Sequence, residues 1–354
     1  MMRLKLFMTS DCNLRCLYCY EKYYRESKKR EGYALLDFSN EDTIVLLSEI
    51  VNRRMVALND NKLQVDFYGG EPLIEIKKIM KVREKMIERS DSFEKSFSVT
   101  TNGTLIEEDN VEMFRDFTVS ISCDGDEKQN AYRVDRAGNP AFDKIMSGIT
   151  LLYKKQIDFK MNMVVSSSNY LRVIESIKYL FSMNCKYFSL EIDYSDTGWE
   201  YVSDEELERF YDGMKSFALE NYHNFKINLF EDSVIPLNQC YLTETLAIDV
   251  NGDIYPCIYF VTSNHSSDYC IGNILDEYDG LHWDKIDELS KYLVCDSDVC
   301  CSKEGNCKIG CYGMNLKLTG KADMISPIYC RHLRTSYNAI FKYKMRVFRK
   351  FRTK

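Results

Sequence analysis

The sequence predicts a parallel α/β fold up to about residue 230, followed by a cysteine-rich α+β region. Three observations carry this. Short apolar or alternating runs at 3–8, 63–68, 97–101, 118–122, 159–165 and 187–193 read as strands. Helical patterns fill the gaps, at about 40–57, 75–89, 107–115, 141–155, 170–183 and 203–221. After about residue 230 this rhythm stops and cysteines become dense. Strands alternating with helices make parallel pairs, and right-handed crossovers curl such a sheet into a barrel or wind it doubly. In either form the ligand site belongs at the C-terminal ends of the strands.

The helix over 40–57 has a clear start, with Ser39 available as its cap and acidic residues in its first turn. In the later region, LAIDVNGDIYPC (246–257) predicts a hairpin, with Asn251-Gly252 as a two-residue turn. The division expected along the chain is a core at 1–232, a cysteine-rich domain at 233–340 and a basic tail at 341–354. The last fourteen residues, FKYKMRVFRKFRTK, carry seven Lys or Arg among aromatics and read first as a solvated helix end.

Net charge is −7, which gives no global argument for nucleic acid. No apolar run reaches the roughly 18 residues a membrane span needs, and MMRLKLFMTSD turns polar too soon for a signal peptide. A cytoplasmic location is expected. Fourteen cysteines are many for a reducing compartment, where disulfides seldom persist. Three fall at 12–19 and nine between 240 and 330, so metal is the expected use. Cys123 and Cys185 stand apart and read as small core residues.

The first cluster is Cys12, Cys16 and Cys19, just after the first strand. Three thiolates leave a tetrahedral metal or a four-iron cube one ligand short, and an open position is what catalysis uses. A zinc knuckle is the plain alternative. The neighbouring strand ends argue against it. The second strand ends in YGGEP, where Gly69 and Gly70 let backbone approach a ligand and Glu71 offers a carboxylate to an ammonium group. The third ends in TTNGT, with Thr100 and Asn102, and the fourth in SISCDG, with Ser122. Polar and glycine-rich groups at four successive strand ends are what a ligand site looks like.

Cys12-x3-Cys16-x2-Cys19, with Tyr18 before the last cysteine and GGEP at 69–72, resembles the radical S-adenosylmethionine (SAM) superfamily over roughly residues 3–230. The resemblance implies a partial (β/α)6 TIM-type barrel. It implies that Cys12, Cys16 and Cys19 hold a [4Fe-4S] cluster whose fourth iron takes SAM, cleaved to a 5′-deoxyadenosyl radical. By the same resemblance Gly69, Gly70 and Glu71 meet the methionine end of SAM. Ser122 and Arg133 serve its carboxylate, and Thr100 and Asn102 complete the rim. Tyr18 and Leu14 pack around the cluster, and Arg15 is expected to be solvated.

Cys240, Gly252 and Cys257, then Cys301-x5-Cys307-x3-Cys311 and Cys330, resemble the SPASM pattern for auxiliary iron–sulfur clusters. The position three before Cys301 is Asp298, where the pattern has cysteine. The resemblance implies two auxiliary [4Fe-4S] clusters. One takes Cys240, Cys257 and Cys311 with one more ligand or an open site; the other takes Cys301, Cys307 and Cys330 with Asp298, Cys300 or Cys295. Zinc is the alternative there. Cys270 has no assigned place, and the four histidines show no paired spacing and read as structural or surface residues. Glu191 and Asp193 read as rim residues ahead of a catalytic base.

Proteins of this resemblance modify peptides or proteins. The expected function is thioether or carbon–carbon cross-linking of a ribosomally made precursor peptide, with sulfatase-type formylglycine formation or peptide epimerisation as alternatives. Ile258 follows Cys257 where the sulfatase-maturing family has Asp, which counts against that alternative. A zinc or iron–sulfur binding module is the non-enzyme reading. A flavodoxin or ferredoxin is the expected electron donor. With the first strand starting at residue 3, leader recognition is expected from a separate protein, the SPASM surface or the basic tail.

Overall fold

The computed structural model describes residues 1–22, 24, 36–89, 93–231, 241–263, 266–291 and 311–351. Its strands are β1 (Met2–Phe7), β2 (Lys62–Tyr68), β3 (Glu94–Thr101), β4 (Thr118–Ser122), β5 (Phe159–Val165), β6 (Tyr187–Ile192), β7 (Lys226–Ile227), β8 (Thr245–Ile248), β9 (Asp253–Tyr255) and β10 (Gly272–Asn273). The principal helices are α1 (Glu41–Ala57), α2 (Ile76–Glu88), α3 (Phe142–Lys154), α4 (Val173–Ser182), α5 (Asp204–Glu220), α6 (Asp284–Lys291), α7 (Tyr312–Thr319) and α8 (Pro327–Phe351). Two compact units divide the chain: Met1–Ser120 with Tyr132–Asp158 and Tyr241–Lys291, and Ile121–Ala131 with Phe159–Cys240 and Tyr292–Lys354.

In the first unit β1, β2 and β3 run parallel in register, with Lys5 opposite Asp66 and Asp66 opposite Ser98. β8 lies parallel on the other edge of β1, so this unit draws chain from both sides of residue 232. Period-2 alternation gives the sheet two unlike faces. Leu4, Leu6, Val65, Phe67 and Val99 form the apolar one, all essentially without exposure. Each such side chain contributes about 1.5–3 kcal/mol. The other face carries Lys5, whose Nζ is 3.0 Å from Asp66 Oδ2, and Gln64 and Ser98 also donate to Asp66. Burial alone would pull the Lys5 pKa down, but Tyr68 and Asp66 outweigh it and hold the ammonium charged.

In the second unit β5, β6 and β7 are parallel. α5 begins with a full capping box, in which Ser203 and Glu206 serve each other's backbone N–H. α8 packs on α5 through Tyr211 and His332, joined Oη to Nδ1 at 3.0 Å. Trp199 and Tyr194 set their edges on the same imidazole. Burial, with the Arg331 charge adding to it, pushes His332 down to about 3. This histidine is therefore structural, within the expectation of structural or surface histidines; His265 lies outside the described residues.

Three local expectations are corrected. The cap of α1 is Asn40, whose Oδ1 accepts from Asp42 N at 3.0 Å; Ser39 is instead tied to Asp37. The helix expected over 107–115 is only a 3-10 turn, Val111–Asp116. Asn110 explains this, accepting from Glu107 N and donating to Leu105 O, side-chain bonds that compete with the helical ladder. The β8–β9 hairpin forms, but its loop has three residues. Asp249 N bonds Asp253 O, Gly252 N bonds Asp249 O, and Gly252 sits at φ +90°. Asn251 has no positive φ, which the expected two-residue turn requires.

The basic stretch after residue 340 continues α8 as far as Phe351.

Candidate active site

The loop after β1 carries the three cysteines. Cys12 is buried, Cys16 and Cys19 are partly open, and Cys19 N closes a turn on Cys16 O at 3.2 Å. Leu14, nearly fully buried, points its N–H at Cys12 Sγ, 3.4 Å away. The end of β2 grips this loop from one side. Gly70 N donates to Thr9 O at 2.9 Å and Glu71 N to Asp11 O at 2.8 Å. These contacts explain both glycines. A Cβ on Gly69 would sit 2.3 Å from Thr9 O, and one on Gly70 would sit 2.1 Å from Asp11 O. Where a ligand is expected against these glycines, what they admit first is the chain's own cysteine loop. Gly69 also needs its φ of +131°, which L side chains rarely adopt.

Glu71 is corrected more sharply. Its carboxylate is not offered outward: the residue is 1% exposed. Oε1 accepts from Leu73 N at 3.1 Å and Thr101 Oγ1 at 2.6 Å, and Oε2 accepts from Asn102 N at 2.8 Å. It caps the 3-10 turn Pro72–Glu75, with Pro72 at its first position, and latches the end of β2 to that of β3. Burial pushes this carboxyl up to about 7, against the pull of its three donors.

Asn102 ties the third strand end to the cysteine loop. Its Nδ2 donates to Asn13 Oδ1 at 2.9 Å and lies 4.0 Å from Cys12 Sγ. Its Oδ1 accepts from Thr104 N and Oγ1, and Asn13 donates to Thr104 Oγ1 at 2.8 Å. Thr101 rather than Thr100 is the threonine that serves Glu71. Thr100 is half-buried and shares the polar face with Ser98, two residues away.

Residues 132–140 grip the loop from the other side. Leu17 N donates to Tyr132 O, Arg15 N donates to Val134 O, and Leu14 bridges Asp135. Arg133 is nearly buried, its guanidinium 5.4 Å from the Tyr18 ring centre. Arg15 is not merely solvated: Nη1 donates to Cys12 O at 2.7 Å and to Leu14 O at 2.8 Å.

Ser122 falls within the second unit, at the end of β4. Beside it Asp124 is buried, accepting from Val164 N at 2.9 Å, and its own N–H bonds Asn130 Oδ1 at 3.0 Å. Asn130, fully buried, also donates to Gly125 O and Asp126 O and thereby shapes the SCDG turn. Cys123 and Cys185 are core residues as expected, with burial pushing the Cys185 thiol up to about 12. Asp193 organises its own turn, accepting from Ser195 N and Oγ. Glu191 is exposed and accepts from Ser189 Oγ.

Of the second cysteine set, Cys257 precedes the short helix Ile258–Val261, Cys311 precedes α7 and Cys330 lies in α8. Cys240, Asp298, Cys300, Cys301 and Cys307 lie outside the described residues, as does Cys295. Among the described residues, no three His, Cys, Asp or Glu side chains gather as ligands of a single metal ion. A four-iron cube binds each cysteine at a different corner and so spaces its ligands more widely. The donor set at 12–19, three soft thiols on one tied loop, fits such a cube.

Residues 6–180 match the radical SAM superfamily. The chain carries a radical SAM domain. Over 282 residues it is 27% identical to an uncharacterized protein of Methanocaldococcus jannaschii, covering 78% of this chain and 90% of that one. Over 311 residues it is 26% identical to the serine-type anaerobic sulfatase-maturating enzyme of Bacteroides thetaiotaomicron, covering 75% of this chain and 70% of that one. The fold matches native anSMEcpe with bound AdoMet and Kp18Cys peptide at TM-score 0.76 and 23% identity, over 99% of this chain and 100% of that one. It also matches Streptococcus suis SuiB bound to precursor peptide SuiA at TM-score 0.62 and 17% identity, over 93% and 75%. The fold is the partial β/α barrel of radical SAM enzymes, and that family's cofactors are SAM and a [4Fe-4S] cluster.

The cysteine and glycine runs were legible as spacing; their ties were not. Asn13, Thr104, Asn130 and Arg136 were missed. A polar residue beside each motif was the only signal available. No described helix is long and apolar enough to cross a membrane.

Proposed function

We propose that this radical SAM enzyme abstracts hydrogen from a residue within a peptide chain, and that the product is a thioether or carbon–carbon cross-link. The observation that carries the radical chemistry is the tied loop of Cys12, Cys16 and Cys19, gripped by YGGEP at a parallel strand end. When bound, the cluster would supply the electron that cleaves SAM and so releases the hydrogen-abstracting 5′-deoxyadenosyl radical. The chain's part is to hold and exclude. Cys12, Cys16 and Cys19 would hold the iron. Backbone at Gly69, Gly70 and Glu71, side chains of Thr100, Asn102 and Ser122, and the Arg133 guanidinium would hold SAM. The Glu71 carboxyl, already engaged, would serve by fixing that turn. Cys257, Cys311 and Cys330, with Cys240, Cys301, Cys307 and a further ligand among Asp298, Cys300 and Cys295, would bind two auxiliary clusters.

A peptide substrate is supported by the relatives' names and by peptide-bound neighbours such as SuiB with SuiA. A flavodoxin or ferredoxin would supply electrons, and a separate protein could present the leader. Formylglycine formation in a sulfatase is the second reading, favoured by the sulfatase-maturating relatives. Against it stands Ile258, an aliphatic side chain directly after Cys257, which cannot act as a base.

One experiment separates the two. Anaerobically reconstituted enzyme is given SAM, dithionite and either a cysteine-containing precursor-type peptide or a sulfatase-derived peptide. Cross-linking predicts loss of two hydrogens from the first peptide, with loss of a free thiol for a thioether and retention of every thiol for a carbon–carbon link. An aldehyde trapped by hydrazide on the second would overturn cross-linking in favour of formylglycine. Deoxyadenosine release with neither peptide altered would overturn both.

A further inference from the structure

We infer that Arg136 is a positioning residue for the cysteine loop, fixing the Cys12 carbonyl and placing a permanent cation beside the iron site. This rests on the reading that Cys12, Cys16 and Cys19 hold a cluster.

The geometry is a fork. Arg136 Nε and Nη2 donate to Cys12 O at 3.1 and 2.9 Å, and Nη2 also donates to Asp11 Oδ1 at 2.6 Å. Arg15 Nη1 reaches the same Cys12 O at 2.7 Å. Two guanidiniums from distant parts of the chain thus converge on one backbone carbonyl, that of the first cysteine. Asp11 is held from the opposite direction too, since its carbonyl accepts Glu71 N and its Oδ1 accepts Cys12 N at 2.9 Å. Thr9–Cys12 is therefore clamped between the β2 turn and Arg136.

Arg136 is itself placed with care. Val134 bridges Pro140, Asp135 N bonds Asn139 O, and Asp135 Oδ1 accepts from Ala137 N and Asn139 N. Gly138 closes this tight turn at φ +87°. The turn stands on the cysteine loop through the Leu17–Tyr132, Arg15–Val134 and Leu14–Asp135 pairings.

The plain alternative is an ordinary surface ion pair. Arg136 and Asp11 are about half exposed, and such pairs contribute little to stability. That alternative explains Asp11 but not two guanidinium nitrogens on Cys12 O. Reduction adds a negative charge to a cluster, so nearby cations and hydrogen bonds favour the reduced form. Arg133 differs in kind, because it is buried against Tyr18.

The test compares Arg136→Gln, Arg136→Lys and Arg115→Gln, the last an exposed arginine paired with Glu112. The metal-free chain is followed by amide exchange, and the anaerobically reconstituted enzyme by iron content, redox titration and the KM for SAM. Arg136→Gln is expected to speed exchange over residues 10–17 alone and move the cluster potential lower. Its KM for SAM should rise severalfold. Arg136→Lys keeps the charge but loses the fork, so its potential stays near wild type while exchange still quickens. Arg115→Gln changes neither. Arg136→Gln with wild-type exchange and potential at full iron content overturns the inference. Retention of that iron by Cys16→Ala would overturn the underlying reading instead.

Discussion

Replacing Gly70 by alanine tests the site at its tightest point. A Cβ there would stand 2.1 Å from Asp11 O, 2.6 Å from Asp11 C and 3.0 Å from Ser10 O. Ordinary van der Waals contact begins near 3.4 Å, so the loop must retreat by more than 1 Å (3.4 less 2.1). Both neighbours are backbone and cannot rotate away. The retreat would break Gly70 N to Thr9 O and Glu71 N to Asp11 O. Two lost hydrogen bonds cost about 2 kcal/mol together, and overpacking adds about 1–3 kcal/mol. The expected total is about 3–5 kcal/mol, concentrated on the residue that precedes Cys12. Gly280→Ala is the control, since nothing lies within 4 Å of its Cβ and its φ is not positive. Urea unfolding should show the loss for Gly70→Ala only. Iron content after anaerobic reconstitution should fall with it. A Gly70→Ala protein with wild-type stability and full iron would refute the claim that this contact shapes the cysteine loop.

Glu71 predicts a pH effect. Its folded value of about 7 lies above the ordinary 4.5, so its contribution to stability is complete below pH 4.5 and is lost as pH rises through 7. The difference, about 2.5 pKa units, corresponds to roughly 3 kcal/mol. Glu71→Gln should flatten the pH 5 to pH 8 stability profile. It should also cost about 1–3 kcal/mol at pH 5, because an amide NH2 must face one backbone N–H. An unchanged slope in the variant would count against a buried, strained carboxyl. Cys123 and Cys185 should resist iodoacetamide in the folded, metal-free chain while Cys16 and Cys19 react, since burial suppresses the Cys185 thiolate and shields Cys123. Equal labelling of all four by mass spectrometry would contradict that placement.

The strands were readable because alternation is local: 118–122 and 159–165 coincide with β4 and β5. The cysteines and glycines were readable as spacing, which is also local. What escaped depends on contacts between distant segments. Asn13 meets Thr104 across 91 positions and Arg136 meets Asp11 across 125. Nothing in either neighbourhood reveals its partner. The Glu71 carboxylate was expected to face outward and is buried instead, because a carboxylate's burial cannot be read from a motif. The short turn at 111–116 failed for a different reason: Asn110 offered its own side chain to the backbone, a local option that helical periodicity does not register.

The central claim is that Cys12, Cys16 and Cys19 hold the iron of a working radical SAM site. The most direct measurement is 5′-deoxyadenosine release from anaerobically reconstituted protein given dithionite and SAM, compared with Cys16→Ala. The account predicts release by the wild type and none by the variant, with the variant's iron reduced by one cube. Release by Cys16→Ala at the wild-type rate, or none from a wild type carrying its full iron, would contradict it.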